Sequence, residues 1–349
     1  MALKFNSGKF TVLQVSDPQD LQFVRKTMVR MLDAAYDRVN PDLVVFTGDN
    51  ILGNHLRDAR FGSRKVILSP DGEYEAMKTA IHHIAEPVDR RGIPFTMIYG
   101  NHDDMNFISK EKQAEIWRGY DLWFIDSARL DKAEEKCHTG VKKQAVEWYI
   151  NKSNLLKEQN GGKPVPSVLF QHIPFSEMTR LNSPCKKDDY GALPLFKKGE
   201  PEKYIRLDPA VADGFLGEPI DGCEENNGEF DAIKKQGDVA AAVFGHDHRN
   251  NFIAELDGIR IFQSSAASFR CYGNRFRGVR VIEINENEPE SVKTYFLTYS
   301  ELCGNGPVSR LRYIWDADGE GKKKAALIAF VSAAASTSAL WSSMAFSIS

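Results

Sequence analysis

The amino-acid sequence predicts an α/β fold in which two β-sheets pack face to face and helices cover the outside. In the first part of the chain, short apolar runs typical of buried strands alternate with stretches whose apolar residues recur at helical spacing. The last part contains several strand-like runs with few helical signals between them. With 349 residues and ordinary apolar and charged fractions, the chain is long enough to bury such a core.

The first predicted unit is a strand, a helix and a second strand. Residues 10–15 (FTVLQV) form an apolar run, and residues 24–39 carry apolar side chains at helical spacing. Asn40 ends the helix, because the residue before a proline, here Pro41, avoids the α region. The next apolar run, LVVFT, covers residues 43–47. Such a unit pairs its two strands in parallel through a right-handed crossover.

The same alternation continues along the chain. Three further helices are predicted, each followed by an apolar strand: 73–90 and 95–99, 142–157 and 168–170, and 230–236 and 239–244. Three more strands follow, at residues 260–263, 278–284 and 292–299. A first part of this kind with a strand-rich end is the pattern that predicts two packed sheets.

The segment between His172 and His246 is predicted to lack regular secondary structure, and it contains many Pro and Gly residues. Long loops in compact domains are usually functional or disordered. We predict that residues 173–229 form a cap over the functional site; the alternative is a solvated excursion from the surface.

Five short polar motifs carry the chemistry, and each follows a predicted strand. They are Asp17-Pro18-Gln19, Gly48-Asp49-Asn50, Gly100-Asn101-His102-Asp103, Gln171-His172 and Gly245-His246-Asp247-His248. Ligands of open α/β sheets bind beyond the carboxyl ends of the strands, so these side chains are expected to converge. A single Asp or His after a strand is usually a cap or turn residue. Five motifs in order, with four of the eight histidines, indicate a functional site.

The motifs supply carboxylate, imidazole and amide groups, which are the ligands of divalent metals that activate water. Asp49 is the natural bridge between two cations, since a carboxylate has two oxygens. His246 and His248 are two residues apart in an extended segment, so both point to the same face, and Asp247 points away to support the loop. Two cations about 3.5–4 Å apart clamp the attacking and leaving oxygens of phosphoryl transfer and make hydroxide available near neutral pH. The sequence therefore predicts a two-metal phosphoesterase that needs no covalent nucleophile.

A candidate proton donor lies beside the predicted metal ligands. His102 follows the predicted ligand Asn101, and as imidazolium it would protonate the leaving alkoxide. Asp103 or Asp126 would orient its ring. Arg270 is a candidate to clamp the phosphate, together with Asn101 and His102.

Composition excludes some partners. The net charge of -3 implies no attraction to a nucleic acid polymer. The five cysteines are scattered without a CxxC pair, which favours free thiols in a reducing compartment. The N-terminus carries no apolar signal-peptide region, so we expect a cytoplasmic protein.

Residues 301–349 are predicted to be a C-terminal extension. Lys322–Lys324 precede a charge-free stretch, 325–349, that is long enough to span a bilayer but is rich in Ala and Ser. One interpretation is a membrane anchor with the lysines on the cytoplasmic side, which would give weak membrane association. The other is a helix packed on the domain or a loosely ordered tail.

The motif set D-x-Q, GDN, GNHD, QH and GHDH resembles the calcineurin-like metallophosphoesterase superfamily over about residues 8–300. GDNI at 48–51, GHDHRNNF at 245–252 and the ENNGEF run ending at Phe230 are similar to its purple-acid-phosphatase-like and Dcr2-like branch. The resemblance implies a four-layer α-β-β-α sandwich of two mixed sheets flanked by helices, with a dinuclear metal centre.

The resemblance also implies a role for each motif residue. One metal would be held by Asp17, Gln19, Asp49 and His248, and the other by Asp49, Asn101, His172 and His246. His102 would be the proton donor. The metals typical of the superfamily are Mn, Fe and Zn.

Position 19 departs from the family pattern, whose first motif is most often D-x-H. An amide oxygen is a harder, neutral ligand than imidazole, so Gln19 predicts a shift toward Mn or Mg over Zn. The Tyr arrangement that true purple acid phosphatases show after the first Asp is missing, so a purple enzyme is not expected.

Three functions fit these motifs. The leading one is a phosphomonoesterase that acts on a phosphorylated small molecule or a phosphoprotein. The second is a phosphodiesterase or nucleotide pyrophosphatase that uses the same site. The third is a non-catalytic metal-binding scaffold, which the nearly complete set of ligands and His102 disfavour.

Overall fold

A computed structural model describes residues 3–57, 69–123, 141–195, 202–223 and 225–318. Its strands are β1 Lys9–Val15, β2 Leu43–Thr47, β3 Phe95–Ile98, β4 Ser167–Phe170, β5 Asn182–Cys185, β6 Leu193–Leu195, β7 Lys203–Leu207, β8 Ala212–Phe215, β9 Val239–Phe244, β10 Asn251–Leu256, β11 Ile259–Gln263, β12 Gly278–Asn285 and β13 Glu288–Thr298. Its α-helices are α1 Lys26–Val39, α2 Pro70–Asp89, α3 Lys110–Arg118, α4 Lys143–Gln159, α5 Glu229–Gln236, α6 Tyr299–Cys303 and α7 Pro307–Asp316.

The strands form two five-stranded mixed sheets. Sheet 1 has the order β13-β12-β1-β2-β3; β1, β2 and β3 are parallel, and β12 and β13 run antiparallel to their neighbours. Sheet 2 has the order β4-β9-β11-β10-β8, in which β4, β9 and β11 are parallel. The parallel strands of both sheets carry the five motifs at their carboxyl ends.

Buried side chains show that the two sheets form the middle of a four-layer sandwich. Val12 of sheet 1 and Phe262 of sheet 2 belong to one buried cluster between the sheets. On the opposite face of sheet 1, Leu13 packs in a cluster with Met28 of α1. The outer face of sheet 2 is covered in the same way by Ile233 of α5. The predicted α-β-β-α architecture is therefore confirmed.

Strand β1 shows how the alternation of side chains builds these layers. Leu13 and Val15 face the helices, whereas the buried side chain of Gln14 faces sheet 2. The Gln14 amide donates hydrogen bonds to the Thr47 hydroxyl at 2.9 Å and to the Phe244 carbonyl at 3.0 Å. A polar contact thus ties the two sheets together where β1, β2 and β9 end.

A buried arginine makes a second polar contact between the sheets. Arg280 of β12 is 2% exposed. Its guanidinium donates to the Ser264 hydroxyl, the Gln263 carbonyl and the Asn251 side chain, each at 2.7 Å. Burial lowers the pKa of Arg280 to about 9. Neutral acceptors, not a carboxylate, therefore satisfy this charge in the described contacts.

The segment 173–229 differs from the predicted irregular loop. It contains a small sheet of order β5-β7-β6, and β8 adds to the edge of sheet 2. β5 (NSPC) and β8 (ADGF) have little apolar pattern, so their sequences did not reveal them. They form because partner strands are available, and strand formation depends strongly on such context. That the segment caps the site stays a prediction.

Helices α6 and α7 place the start of the predicted C-terminal extension on the sandwich. The rings of Tyr299 and Tyr313 lie 5.4 and 5.3 Å from that of Phe269. Thr27 of α1 donates its backbone N–H to Asp316 of α7 at 3.0 Å. The tail, 325–349, lies outside the described residues. Within the described part of the chain, no helix is long and apolar enough to cross a membrane.

Candidate metal centre

Three predicted ligands adopt left-handed backbone conformations directly after their strands. The φ angle is 48° at Asp17, 47° at Asp49 and 70° at His246. Such a conformation costs a non-glycine residue about 1–3 kcal/mol, and residues held in it cluster at functional sites. Each turn comes two residues after a strand end, where the carboxyl ends of the two sheets meet.

Two glycines of the motifs leave the space in which the ligands converge. A Cβ atom added at Gly100 would lie 2.8 Å from Nε2 of His172. One added at Gly245 would lie 2.7 Å from Oδ2 of Asp17. Both distances are too short for a real side chain, so these positions require glycine because of the close approach of the ligands.

Asp49 lies between two groups of donor side chains, and its side chain is 1% exposed. Its Oδ1 is 3.3 Å from Nε2 of His172. Its Oδ2 is 3.4 Å from the amide nitrogen of Gln19. Each carboxylate oxygen faces a different group, as expected of a bridging ligand.

The first group contains Asp17, Gln19 and His248, all buried. Nε2 of His248 lies 3.5 Å from Oδ1 of Asp17 and 2.8 Å from the Gln19 amide nitrogen. Oδ1 of Asp17 and Oε1 of Gln19 are buried without a hydrogen-bond partner among the described residues. A buried polar atom without a partner is costly. Each of these oxygens is a ligand atom that a bound cation would satisfy.

The second group contains Asn101, His172 and His246. Nε2 of His172 lies 3.1 Å from Oδ1 of Asn101. The rings of His172 and His246 are 5.2 Å apart. Nε2 of His246 lies 3.5 Å from a carboxylate oxygen of Asp221, which belongs to the segment 173–229.

Backbone carbonyls orient two of the imidazoles. Nδ1 of His172 lies 2.9 Å from the Thr47 carbonyl, and Nδ1 of His248 lies 3.1 Å from the Tyr272 carbonyl. Because a carbonyl only accepts, Nδ1 carries the hydrogen and Nε2 faces the other ligands. Hydrogen bonds of this kind fix the tautomer of metal-binding histidines.

Electrostatics also favour a cation at this position. Burial tends to raise the pKa of Asp49, but His172 more than offsets it and holds that pKa well below its usual range. Burial tends to lower the pKa of His172, but Asp49 raises it to about 10. Asp17 and His248 behave in the same way: against the effect of burial, His248 lowers the pKa of Asp17, and Asp17 raises the pKa of His248. The buried carboxylates are therefore stabilised by positive charge beside them.

The donor set fits a pair of divalent cations. Asp17, Asp49 and His172 each place one ligand atom within 4.8 Å of the others. Carboxylate and amide oxygens with imidazole nitrogens suit Mn, Fe and Zn. The structure brings all seven predicted ligands to one place, and Asp49 is shared by the two groups.

His102 lies at the open side of the centre, with 26% of its side chain exposed. Its Nε2 is 4.0 Å from Oδ2 of Asp49, and its Nδ1 is 3.3 Å from the side-chain oxygen of Asn54. Burial lowers the pKa of His102, and Asp49 opposes this. The contact with Asn54 holds the imidazole ring in this orientation. Asn54 was not among the residues that the sequence predicted for the site.

Asp103 has a different role from the expected orientation of His102. Its buried carboxylate accepts backbone N–H groups from Gly100 at 2.8 Å, Asn50 at 2.9 Å and Ile51 at 3.1 Å. Burial raises the pKa of Asp103 to about 7. Its contacts tie the GDN turn to the GNHD turn. The other candidate, Asp126, lies outside the described residues.

Arg270 is held at the rim of the centre. Its Nε donates to the carboxylate of Asp20, next to the ligand Gln19, and its guanidinium also donates to the Phe23 carbonyl. Its predicted contact with substrate phosphate stays a prediction. Asp247 supports its loop as expected, since its carboxylate accepts from Asn250 at 3.0 Å.

Comparison with known proteins agrees with this geometry. The chain matches the family model of the calcineurin-like phosphoesterases over residues 10–250. It is 24% identical to a protein of Arabidopsis thaliana named probable inactive purple acid phosphatase 14, over 80% of this chain and 77% of the relative. It is also 30% identical to phosphatase DCR2 of Saccharomyces cerevisiae, over 29% of this chain and 13% of the relative.

One solved structure that the chain matches is that of a dimetal phosphatase from Danio rerio. That chain is 12% identical, with a TM-score of 0.43, and the match covers 83% of this chain and 99% of the other. The family match spans more than half of the chain and includes all the predicted ligands. The family implies divalent metal ions in a dinuclear site. The chain therefore belongs to the calcineurin-like phosphoesterase family and is a metal-dependent hydrolase of phosphoric esters.

Proposed function

We propose that the chain is a phosphomonoesterase that acts on a phosphorylated small molecule or a phosphoprotein. The observation that carries this proposal is the pair of donor groups that share Asp49. Within them, the buried oxygens of Asp17 and Gln19 have no hydrogen-bond partner among the described residues. A site of this kind is suited to hold two cations beside a phosphoryl group.

When bound, the two cations supply Lewis acidity toward the phosphoryl oxygens and lower the pKa of a coordinated water. The chain supplies the orientation of their ligands. The Thr47 and Tyr272 carbonyls fix His172 and His248. The backbone N–H of His102 donates to Oδ1 of Asp49 at 2.8 Å and holds that carboxylate between the two groups.

His102 would transfer the proton to the leaving group. Its Nδ1 is engaged by Asn54, so Nε2 is the nitrogen that faces the centre. An imidazolium proton on Nε2 would pass to the ester oxygen as the P–O bond breaks. Burial lowers the pKa of His102, and the neighbouring carboxylate of Asp49 offsets only part of that shift.

We propose Mn as the preferred metal, with Fe or Zn as alternatives. Position 19 contributes an amide where imidazole is most often found in the family. Gln19 lies within the first donor group, against His248 and Asp49. Oxygen ligands favour Mn relative to Zn, which prefers nitrogen and sulfur.

A non-catalytic scaffold is the second candidate, because a relative of this chain is named as probably inactive. Against it, this chain retains His102 and the ligands of both groups in contact with one another. A scaffold would have no need to hold the His102 ring toward the centre.

The decisive experiment measures hydrolysis of a chromogenic monoester and a chromogenic diester. Metal-stripped protein is resupplied separately with Mn, Fe, Zn and Mg, and His102→Ala and Asp49→Asn are assayed alongside. We expect metal-dependent hydrolysis of the monoester that collapses in both variants. A diester preference would favour a phosphodiesterase, and two bound metals without hydrolysis of either ester would favour the scaffold.

A further inference from the structure

A cleft of about 1090 Å³ is lined in part by residues that neighbour the predicted ligands in the chain. Its wall contains Leu21, two residues after the ligand Gln19. It also contains His55, which follows the Asn54 that contacts His102. Arg270 lies in the same wall and binds Asp20. The cleft therefore begins within a few residues of the predicted ligands and proton donor.

The described lining of the cleft carries an excess of positive charge. Its cations are Arg25, Lys26, Arg30, Arg270 and Arg312, and its carboxylates are Asp316 and Asp318. Arg270 is engaged by Asp20, yet four cations still face two carboxylates. The chain as a whole has a net charge of -3, so this local excess runs against the overall balance.

Part of this charge is available to a ligand. The carboxylate of Asp316 already accepts a hydrogen bond from the backbone N–H of Thr27 in α1, at 3.0 Å. Nε of Arg25 is buried and has no hydrogen-bond partner among the described residues. Arg30 and Arg312 are exposed. Guanidinium groups bind phosphate and carboxylate through paired hydrogen bonds, which gives both strength and orientation.

The size of the cleft and its apolar wall also suit an organic ligand. Pockets for small molecules commonly measure about 300–1,000 Å³. Trp315 lines the cleft and is 58% exposed. The aromatic ring can pack against the uncharged part of a leaving group. The cations beside it can bind the negatively charged part.

We propose that this cleft binds the leaving group of the substrate and recognises a second anionic group on it, such as another phosphate. The inference rests on the proposed phosphomonoesterase function. It narrows the substrate class to esters that carry a further negative charge away from the phosphate that is hydrolysed.

Binding is tested first, on the full chain with its metals. The probes are an alkylphosphonate and the matching alkane bisphosphonate, whose C–P bonds the site cannot hydrolyse. Calorimetry should show that the bisphosphonate binds about tenfold more tightly, because several charges act on its second group. The double variant Arg30→Gln/Arg312→Gln should lose most of that preference.

Arg310→Gln is the matched control. Arg310 is exposed on α7, two residues from Arg312, and does not line the cleft. It should leave the preference unchanged. Equal binding of the two phosphonates by the unaltered chain, or an unchanged preference in the double variant, would overturn the inference.

Kinetics then connects the cleft to the reaction. The substrates are AMP, which carries one phosphate, and an adenosine bisphosphate, which carries a second phosphate on the ribose. A third substrate, p-nitrophenyl phosphate, also has no second anionic group and has a small aromatic leaving group. The double variant should lower kcat/KM about tenfold for the bisphosphate and leave p-nitrophenyl phosphate within about twofold. Hydrolysis with no such difference refutes the cleft's role, whereas no hydrolysis of any ester refutes the proposed function itself.

Discussion

The side-chain oxygen of Asn54 lies 3.3 Å from Nδ1 of His102, so an amide holds the ring of the predicted proton donor. Asn54 follows the GDN motif by four residues and comes from the short 3₁₀ turn Gly53–His55. This contact leaves Nε2 of His102 directed toward Asp49.

Asn54→Ala should lower kcat about tenfold or more with little change in KM, because supporting hydrogen bonds of site residues are worth this much. The loss should be larger for an alkyl phosphate than for p-nitrophenyl phosphate, whose leaving group needs no proton. Asn54→Asp keeps an acceptor and should retain more activity. An equal loss for both esters would argue against a role in proton transfer.

Gln19→His should shift the metal preference toward Zn, because imidazole replaces an amide oxygen in the first donor group. The measurement is metal content after equilibration with equal Mn and Zn, followed by activity with each metal. If the native protein already holds Zn at both positions and the variant keeps the same ratio, Gln19 does not select the metal.

Gly100→Ala should abolish binding of at least one metal, because its Cβ would lie 2.8 Å from Nε2 of His172. Activity should fall by more than about 100-fold, as misplaced ligands lose the catalytic geometry. Gly306→Ala is the control, since nothing lies within 4 Å of its added Cβ. A Gly100→Ala protein with two metals and normal activity would contradict the close approach described above.

Asp103→Asn should destabilise the fold by about 2 kcal/mol, because an amide would place its own N–H groups against backbone donors. Asp104→Asn is the matched control. Asp104 pairs with Lys110 at 2.9 Å and is partly exposed, so its loss should cost under about 1 kcal/mol. The measurement is the free energy of unfolding of both variants in urea. Equal values for the two variants would show that Asp103 has no special structural role.

Arg280→Met should lower the free energy of unfolding by about 3 kcal/mol, since it leaves buried acceptors on Ser264, Gln263 and Asn251 without a donor. The measurement is urea unfolding. Activity per folded molecule should stay near that of the unaltered chain, because no described contact joins Arg280 to a predicted ligand. A stable variant would mean that these acceptors find other partners.

Much of the fold follows from local patterns in the sequence. The predicted strands 43–47 and 239–244 have the bounds of β2 and β9. Both are continuous apolar runs with a partner strand on each side, and such short runs are typical of strands buried on both faces. Strands β5 and β8 lack that signal, because they lie at sheet edges and have few buried side chains.

The sequence alone predicted the ligand set, because its motifs follow strands whose ends converge in this class of fold and because the family resemblance gave each ligand its role. Only the tertiary structure showed that Asn54 holds His102, that Asp103 ties two turns together, and that Arg280 joins the sheets. It also formed the basic cleft from segments far apart in the chain. Such contacts join side chains across large sequence separations, and they depend on packing rather than on any local spacing that a sequence displays.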